Sequence, residues 1–399
     1  MSSFADRKDQ AADPLSPATI FLMATACAFA VATLYYNQPL LPEMGASFGR
    51  SGSDAGFLAT ATQLGYAGGL VLFVPLGDRI DRKRLILTLL AFNMVSLLAV
   101  TFAPTFSALI AASVAVGLTA VTAQIIIPAI SGLAAPDVRG RVVGSLLSGL
   151  SAGLLFARTL SGVVGGHAGW RTMFLVAVGI DAVLMVIVVL RLPRTPPSTT
   201  LSYRSLLSSL GGLILREPVL RVACLTGFLM FAAFSALWGS LAALLAEEPY
   251  HFGPDMAGAF GFVGIAGLLA SPWIGRAVDR LGNRLVLRFG ALTVLAAFLL
   301  AIEAGAHIGF LIAAMILLDI GNRAGLVANQ SRIYALAGEA RSRLNTVFMT
   351  SYFLGGATGA GVAAHLTQRF GWHGLAATGI VFALCASMAA LAAKRSRCL

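Results

Sequence analysis

Four ionisable residues sit inside long apolar stretches of this chain: Arg158, Asp181, Asp319 and Arg323. A charge in such surroundings costs about 2.5–3.5 kcal/mol on a membrane-insertion scale unless it is paired or hydrated, so each needs a reason to be there. Asp319 and Arg323 are spaced i, i+4, which on a helix puts them on one face, where they can pair. Protonation of the carboxylate would release the guanidinium, and a bound compound would compete for the freed group. That is the chemistry of proton coupling; the alternative is a permanent structural ion pair. Arg158 has no sequence-local partner and must find an acceptor in an interior cavity or snorkel outward. Asp181 reads as a proton relay or as a partner for Arg158.

Other chemistries are poorly supported. Gly149-Leu150-Ser151-Ala152-Gly153 fits the hydrolase pattern G-x-S-x-G, but it lies within a helical apolar run with no strand-to-helix elbow. No H-E-x-x-H or Walker A sequence occurs. Cys27, Cys224, Cys385 and Cys398 show no C-x-x-C spacing, so neither a zinc site nor a disulfide framework is expected. The chain therefore reads as a non-enzyme without cofactor or metal.

The elements that must position these residues are membrane helices. Hydrophobic residues make up 58% and charged residues only 11% of the 399 positions, against about 25% charged in a soluble protein. A span needs about 20 apolar residues. Runs of that kind cover 18–42, 54–77, 85–103, 106–133, 141–166, 170–191, 219–246, 255–277, 285–304, 308–335, 343–367 and 372–393. The expected fold is an all-α polytopic membrane protein of twelve transmembrane helices in two six-helix halves. Its parts are a tail (1–17), a first bundle (18–191), a Pro/Ser/Arg-rich linker too polar to insert (192–218), a second bundle (219–393) and a tail (394–399). Residues 1–17 lack the short apolar core and cleavage site of a signal peptide.

Net charge is +11, and its placement is informative. Of 28 Lys and Arg, 23 fall on the termini and the loops sharing their side, three (Arg50, Arg171, Arg369) on the opposite loops, and Arg158 and Arg323 within spans. The positive-inside bias puts both termini in the cytoplasm and the chain in the inner membrane. No basic face interleaved with aromatics is present, so nucleic acid is not an expected partner.

An Asp-Arg motif occurs twice, as Asp78-Arg79-Ile80-Asp81-Arg82-Lys83-Arg84 and as Gly275 to Arg284, which contains Asp279-Arg280-Leu281-Gly282. A second echo runs from Arg139 to Gly169-Trp170 and from Arg341 to Gly371-Trp372. The chain thus contains two related halves. Six plus six spans, a basic linker and an Asp-Arg loop after spans 2 and 8 resemble the major facilitator superfamily. Its loop pattern, Gly-x-x-x-Asp-Arg-x-Gly-x-Arg-Arg, is met at Gly275, Asp279, Arg280, Gly282 and Arg284; the first copy has Val74 and Asp81 where glycine is expected. Tyr36-Asn37-Gln38-Pro39, Ala157-Arg158-Thr159 and Asn329-Gln330 resemble a bacterial subgroup near the drug:proton antiporters and sugar efflux proteins. The stretch Gly153 to Gly162 departs from the antiporter pattern of span 5, with Arg158 in place of proline.

The resemblance implies gating by Asp78, Arg79 and Arg82 with Asp279, Arg280 and Arg284, the carboxylates pairing with arginine and facing a helix end of the other half. The competing reading is that these charges only fix topology. The resemblance also places spans 1, 4, 7 and 10 around a central cavity. Candidate substrate ligands are then Tyr35, Tyr36, Asn37 and Gln38 beside a break at Pro39, Gln124 on span 4, and Asn322, Asn329 and Gln330 on span 10, with Gln63 and Tyr66 joining from span 2. Interhelical hydrogen bonding is the alternative role for the amides. Asp319, Arg323, Arg158 and Asp181 are the coupling candidates. The expected function is proton-coupled export of a small organic compound by alternating access, in a monomer embedded in lipid. Proton-coupled uptake of an anionic metabolite or sugar is the alternative.

Overall fold

The computed structural model describes residues 16–135, 138–195, 197, 199, 201–336 and 341–392. Most of the expected first tail and all of the last lie outside them. The described residues form helices joined by turns and short loops, without strands. Among the described residues twelve spans can be traced, the last two joined end to end. We label them α1 (Pro17–Ala32, with its extension Leu41–Ala46), α2 (Gly52–Phe73), α3 (Arg82–Thr101), α4 (Phe106–Thr119 and Thr122–Leu133), α5 (Arg139–Ala168) and α6 (Trp170–Arg191). The second half holds α7 (Pro218–Ala246), α8 (Pro254–Ala259 and Ile265–Leu281), α9 (Asn283–Leu300), α10 (Ile308–Tyr334), α11 (341–370) and α12 (372–392). The last two run on as one helix except at Gly371, whose positive φ of 52° bends the chain between them.

Proline marks the break in α1. The helix ends at Ala32, and a 3₁₀ turn, Gln38–Leu40, carries Pro39 before the helix resumes at Leu41. Proline cannot donate the hydrogen bond an α-helix needs there. Glycine governs the packing instead. Gly153 of α5 has no room for a Cβ against the Ala28 carbonyl of α1, and Gly359 of α11 has none against the Ala232 carbonyl of α7. The same close approach of backbones therefore recurs in both halves, as the sequence repeat implies.

The halves meet along two seams, α2 with α11 and α5 with α8. Along both, the close contacts lie at the end remote from Asp78. Gly56 abuts Ala364, Gln368 Nε2 donates to Asp54 Oδ1 (3.4 Å), and Thr159 Oγ1 donates to the Gly258 carbonyl (3.2 Å). At the Asp78 end a space of about 1200 Å³ lies within the first half, between α1, the end of α4 and α5, beside Ile20, Leu133, Val138 and Ser148. The halves are thus held together at the end remote from Asp78.

The linker contains a helix that the sequence reading did not assign, Tyr203–Arg216, whose Leu206 and Leu210 are buried. Its Tyr203 hydroxyl donates to the Leu72 carbonyl of α2 (2.7 Å), and the Thr199 N–H just before it donates to the Asp78 carbonyl (3.2 Å). The helix also packs on α7 and α11.

Candidate functional site

A cavity of about 110 Å³ lies between the halves, near the middle of the spans. α1 supplies Tyr35, α2 Tyr66, α4 Gln124 and α10 Asp319, Asn322 and Arg323. Six sequence-derived candidates are therefore brought together. Asp319 is 6% exposed, and its Oδ2 has no hydrogen-bond partner; the same holds for Arg323 Nε. No ion pair within 4.0 Å joins these two among the described residues, although both face one cavity. The pairing expected from their i, i+4 spacing is absent in this state. Arg323 instead donates from Nη1 to Ser151 Oγ of α5 (3.2 Å), across the boundary between halves. Asn322 Nδ2 donates to the Tyr352 hydroxyl (2.9 Å).

The remaining walls are aromatic. Phe231 stacks on Tyr352 with ring centroids 3.9 Å apart, Phe353 meets Phe231 edge-on at 5.2 Å, and Tyr66 packs against Phe353 at 4.3 Å. Such a wall, with one carboxylate and one guanidinium set in it, offers flat apolar surface beside two opposite charges. Sequence reasoning overlooked Phe231, Phe234, Trp238, Tyr352, Phe353 and Ser151. A usable signal existed for α7, since Phe231, Phe234 and Trp238 follow the i, i+3, i+7 spacing of one helix face.

Other candidates lie elsewhere. Gln38 accepts from Arg158 Nε (2.8 Å), Asn37 Nδ2 donates to Thr62 Oγ1 (3.1 Å), and the Tyr36 carbonyl accepts from the Ser161 hydroxyl. Gln63 Oε1 of α2 accepts from Ser235 Oγ of α7 (3.4 Å), between the halves. Asn329 and Thr226 exchange hydrogen bonds (3.0 and 3.2 Å), and Gln330 Nε2 reaches Asn345 Oδ1 (3.4 Å). These amides hold helices together in this state. Asp181 is buried on α6 away from the cavity, with Oδ2 unpartnered; Arg158 turns to Gln38 and not to it.

Arg158 is 1% exposed. Its guanidinium carbon lies 3.6 Å from the ring centre of Trp238, 5.0 Å from Tyr35 and 5.9 Å from Phe234. A residue of the first half is thereby caged by aromatic rings from α1 and, across the seam, α7.

At the opposite end, Asp78 Oδ1 pairs with Arg82 Nη2 (2.9 Å), while Arg82 Nε and Nη1 donate to the carbonyls of Gly77 (3.0 Å) and Pro128 of α4 (3.3 Å). Arg79, Asp279 and Arg280 are exposed, and Arg284 is partly buried.

A family model described as Major Facilitator Superfamily matches residues 21–269 and 223–397. The chain is 39% identical over 370 residues to the uncharacterized transporter YgaY of Escherichia coli K12, covering 93% of this chain and 94% of that protein. It is 24% identical to a Helicobacter pylori protein named "Probable sugar efflux transporter", over 82% and 83% of the two chains. The fold is similar to that of the human organic anion transporter MFSD10, with a TM-score of 0.72 at 18% identity, covering 93% and 98%. These are multi-pass membrane transporters, not enzymes.

Proposed function

Since the chain belongs to the major facilitator superfamily, we propose that it exports a small organic compound in exchange for protons by alternating access in the bacterial inner membrane. One observation carries the reading. Asp319 and Arg323 both keep an unpartnered buried polar atom at a single central cavity. A carboxylate placed there holds either a proton or a donor group of the substrate, and that exclusion couples the two flows. The aromatic wall of Phe231, Tyr352 and Phe353 favours a compound with a flat apolar body. The likeness to a named efflux protein supports the outward direction.

In this reading both termini and the Asp78 loop face the cytoplasm, by the charge bias. The end where Gly56 meets Ala364 is then the outer one, and the Asp78–Arg82 cluster belongs to the inner gate. Asp78 and Asp279, with Arg79, Arg82, Arg280 and Arg284, would engage the opposing half when that end closes.

Inside-out vesicles test the direction. With an acid interior, a labelled substrate found by screening metabolites and dyes should accumulate. Insensitivity to the gradient would reject proton coupling. Asp319→Asn should abolish gradient-driven accumulation and leave substrate exchange; normal accumulation would make Asp319 structural. A second reading has one observation in its favour: Arg323 lines the cavity and its buried Nε has no partner, as a guanidinium awaiting an anion would. Uptake of an anionic metabolite would reverse the sign of the vesicle result.

A further inference from the structure

Asp319 and Arg323 of α10 both rest against Gly267 of α8. A Cβ added to that glycine would overlap Asp319 Oδ2 and would stand 2.8 Å from its Cγ and 3.4 Å from Arg323 Nε. The carboxylate therefore occupies the space that a side chain would fill. Gly264, three residues earlier, also leaves room: a Cβ there would stand 3.9 Å from the same oxygen. In this place Asp319 is buried and its Oδ2 makes no hydrogen bond. Among the described residues no ion pair within 4.0 Å joins it to Arg323, although a guanidinium one helical turn away is its natural partner. Arg323 Nη1 instead donates to Ser151 of the other half (3.2 Å).

We propose that Gly267 is a positioning residue: its bare backbone is a seat that holds the Asp319 carboxyl off Arg323 and leaves the guanidinium free to reach Ser151 of the first half. The carboxyl then has two places, over Gly267 or forward against Arg323. The guanidinium has two partners to match, Ser151 across the boundary or Asp319 on its own helix. Moving the carboxyl forward draws Arg323 from Ser151 and breaks a bond between the halves at the cavity, so the seat biases how the halves are joined. Any side chain at position 267 removes the first place and leaves the second. As a step in transport this rests on the coupling role proposed for Asp319, but the seat itself is testable without transport, so the two can fail separately.

Carbodiimides add to a carboxylic acid in its protonated form. Labelling of Asp319 with dicyclohexylcarbodiimide, read by mass spectrometry on the full chain in detergent, therefore reports how readily it takes a proton. The groups that act on its charge are Arg323, Arg158 of α5 and Tyr352 of α11. Gly267→Ala should press the carboxyl onto Arg323, which favours the charged form, and labelling at mildly alkaline pH should fall about tenfold or more. In an Arg323→Gln background the same substitution should change labelling by less than about twofold. No fall in Gly267→Ala overturns the proposal. So does an equal fall in both backgrounds, which would make the added methyl a steric block. An experimental structure of the unaltered protein guards against a variant that fails to fold. Asp319 Oδ2 against Gly267 with Arg323 on Ser151 supports the seat, and a direct Asp319–Arg323 pair overturns it.

Discussion

The two Asp-Arg loops answer the same demand with different residues. Both must turn the chain from one span into the next while keeping an Asp-Arg pair in the turn. In the second loop the turn is made by Gly282, with φ 83° and ψ 151°, a region essentially open to glycine alone. In the first, Asp81 stands in that place with φ −56° and ψ 117°, and its carboxylate accepts from the N–H groups of Lys83 (2.8 Å) and Arg84 (3.2 Å) to cap α3. The departure from the family pattern is thus a replacement of backbone freedom by a side-chain cap. The loops also differ in attachment. Asp78 is bound to Arg82, which reaches α4, whereas Asp279 is exposed. The lesson is that equivalent motifs in a duplicated protein need not have equivalent jobs.

The comparison can be broken most directly through the carboxylates. Asp78→Ala removes a charge-assisted bond worth about 1.5–3 kcal/mol, and with it the support of Arg82. Initial rates of vesicle transport should fall about tenfold or more, while Asp279→Ala should stay close to the unaltered protein. Equal losses, or a larger loss at Asp279, would end the distinction. A second probe concerns the turns. Gly282→Ala forces a side chain into a glycine-only region and should cost about 1–3 kcal/mol of stability, seen as a lower Tm. Asp81→Ala should cost only about 1 kcal/mol, the usual worth of a helix cap, and Asp81→Asn should restore most of it. If Asp81→Ala proved the more damaging, the cap would be doing more than ending a turn.

Much of this fold was legible in the sequence. Lipid demands long apolar runs, so the twelve spans and the two halves followed from composition, and Pro39 marked the break in α1 because proline removes a donor wherever it stands. The site was legible where a polar or charged side chain interrupts an apolar face, as at Gln124, Asp319 and Arg323. It was less so where four neighbours compete. Tyr35, Tyr36, Asn37 and Gln38 occupy a single turn and point in different directions, and only Tyr35 reaches the cavity. The aromatic wall was hidden for the opposite reason: phenylalanine in a membrane helix carries no contrast with its surroundings. The linker helix could have been found. Leu206, Leu207, Leu210, Leu213 and Ile214 repeat at helical spacing, yet charge and proline content masked the pattern.

That linker helix has a mechanical consequence. It is fastened to α2 by Tyr203 and lies against α7 and α11, so it runs along one seam at the Asp78 end. The α5–α8 seam has no such strip of chain across it among the described residues. The molecule is therefore bound like a book, with a spine on one edge and loose pages on the other. Motion that separates the halves at this end must swing widest at α5 and α8, and the edge under the spine serves as its pivot.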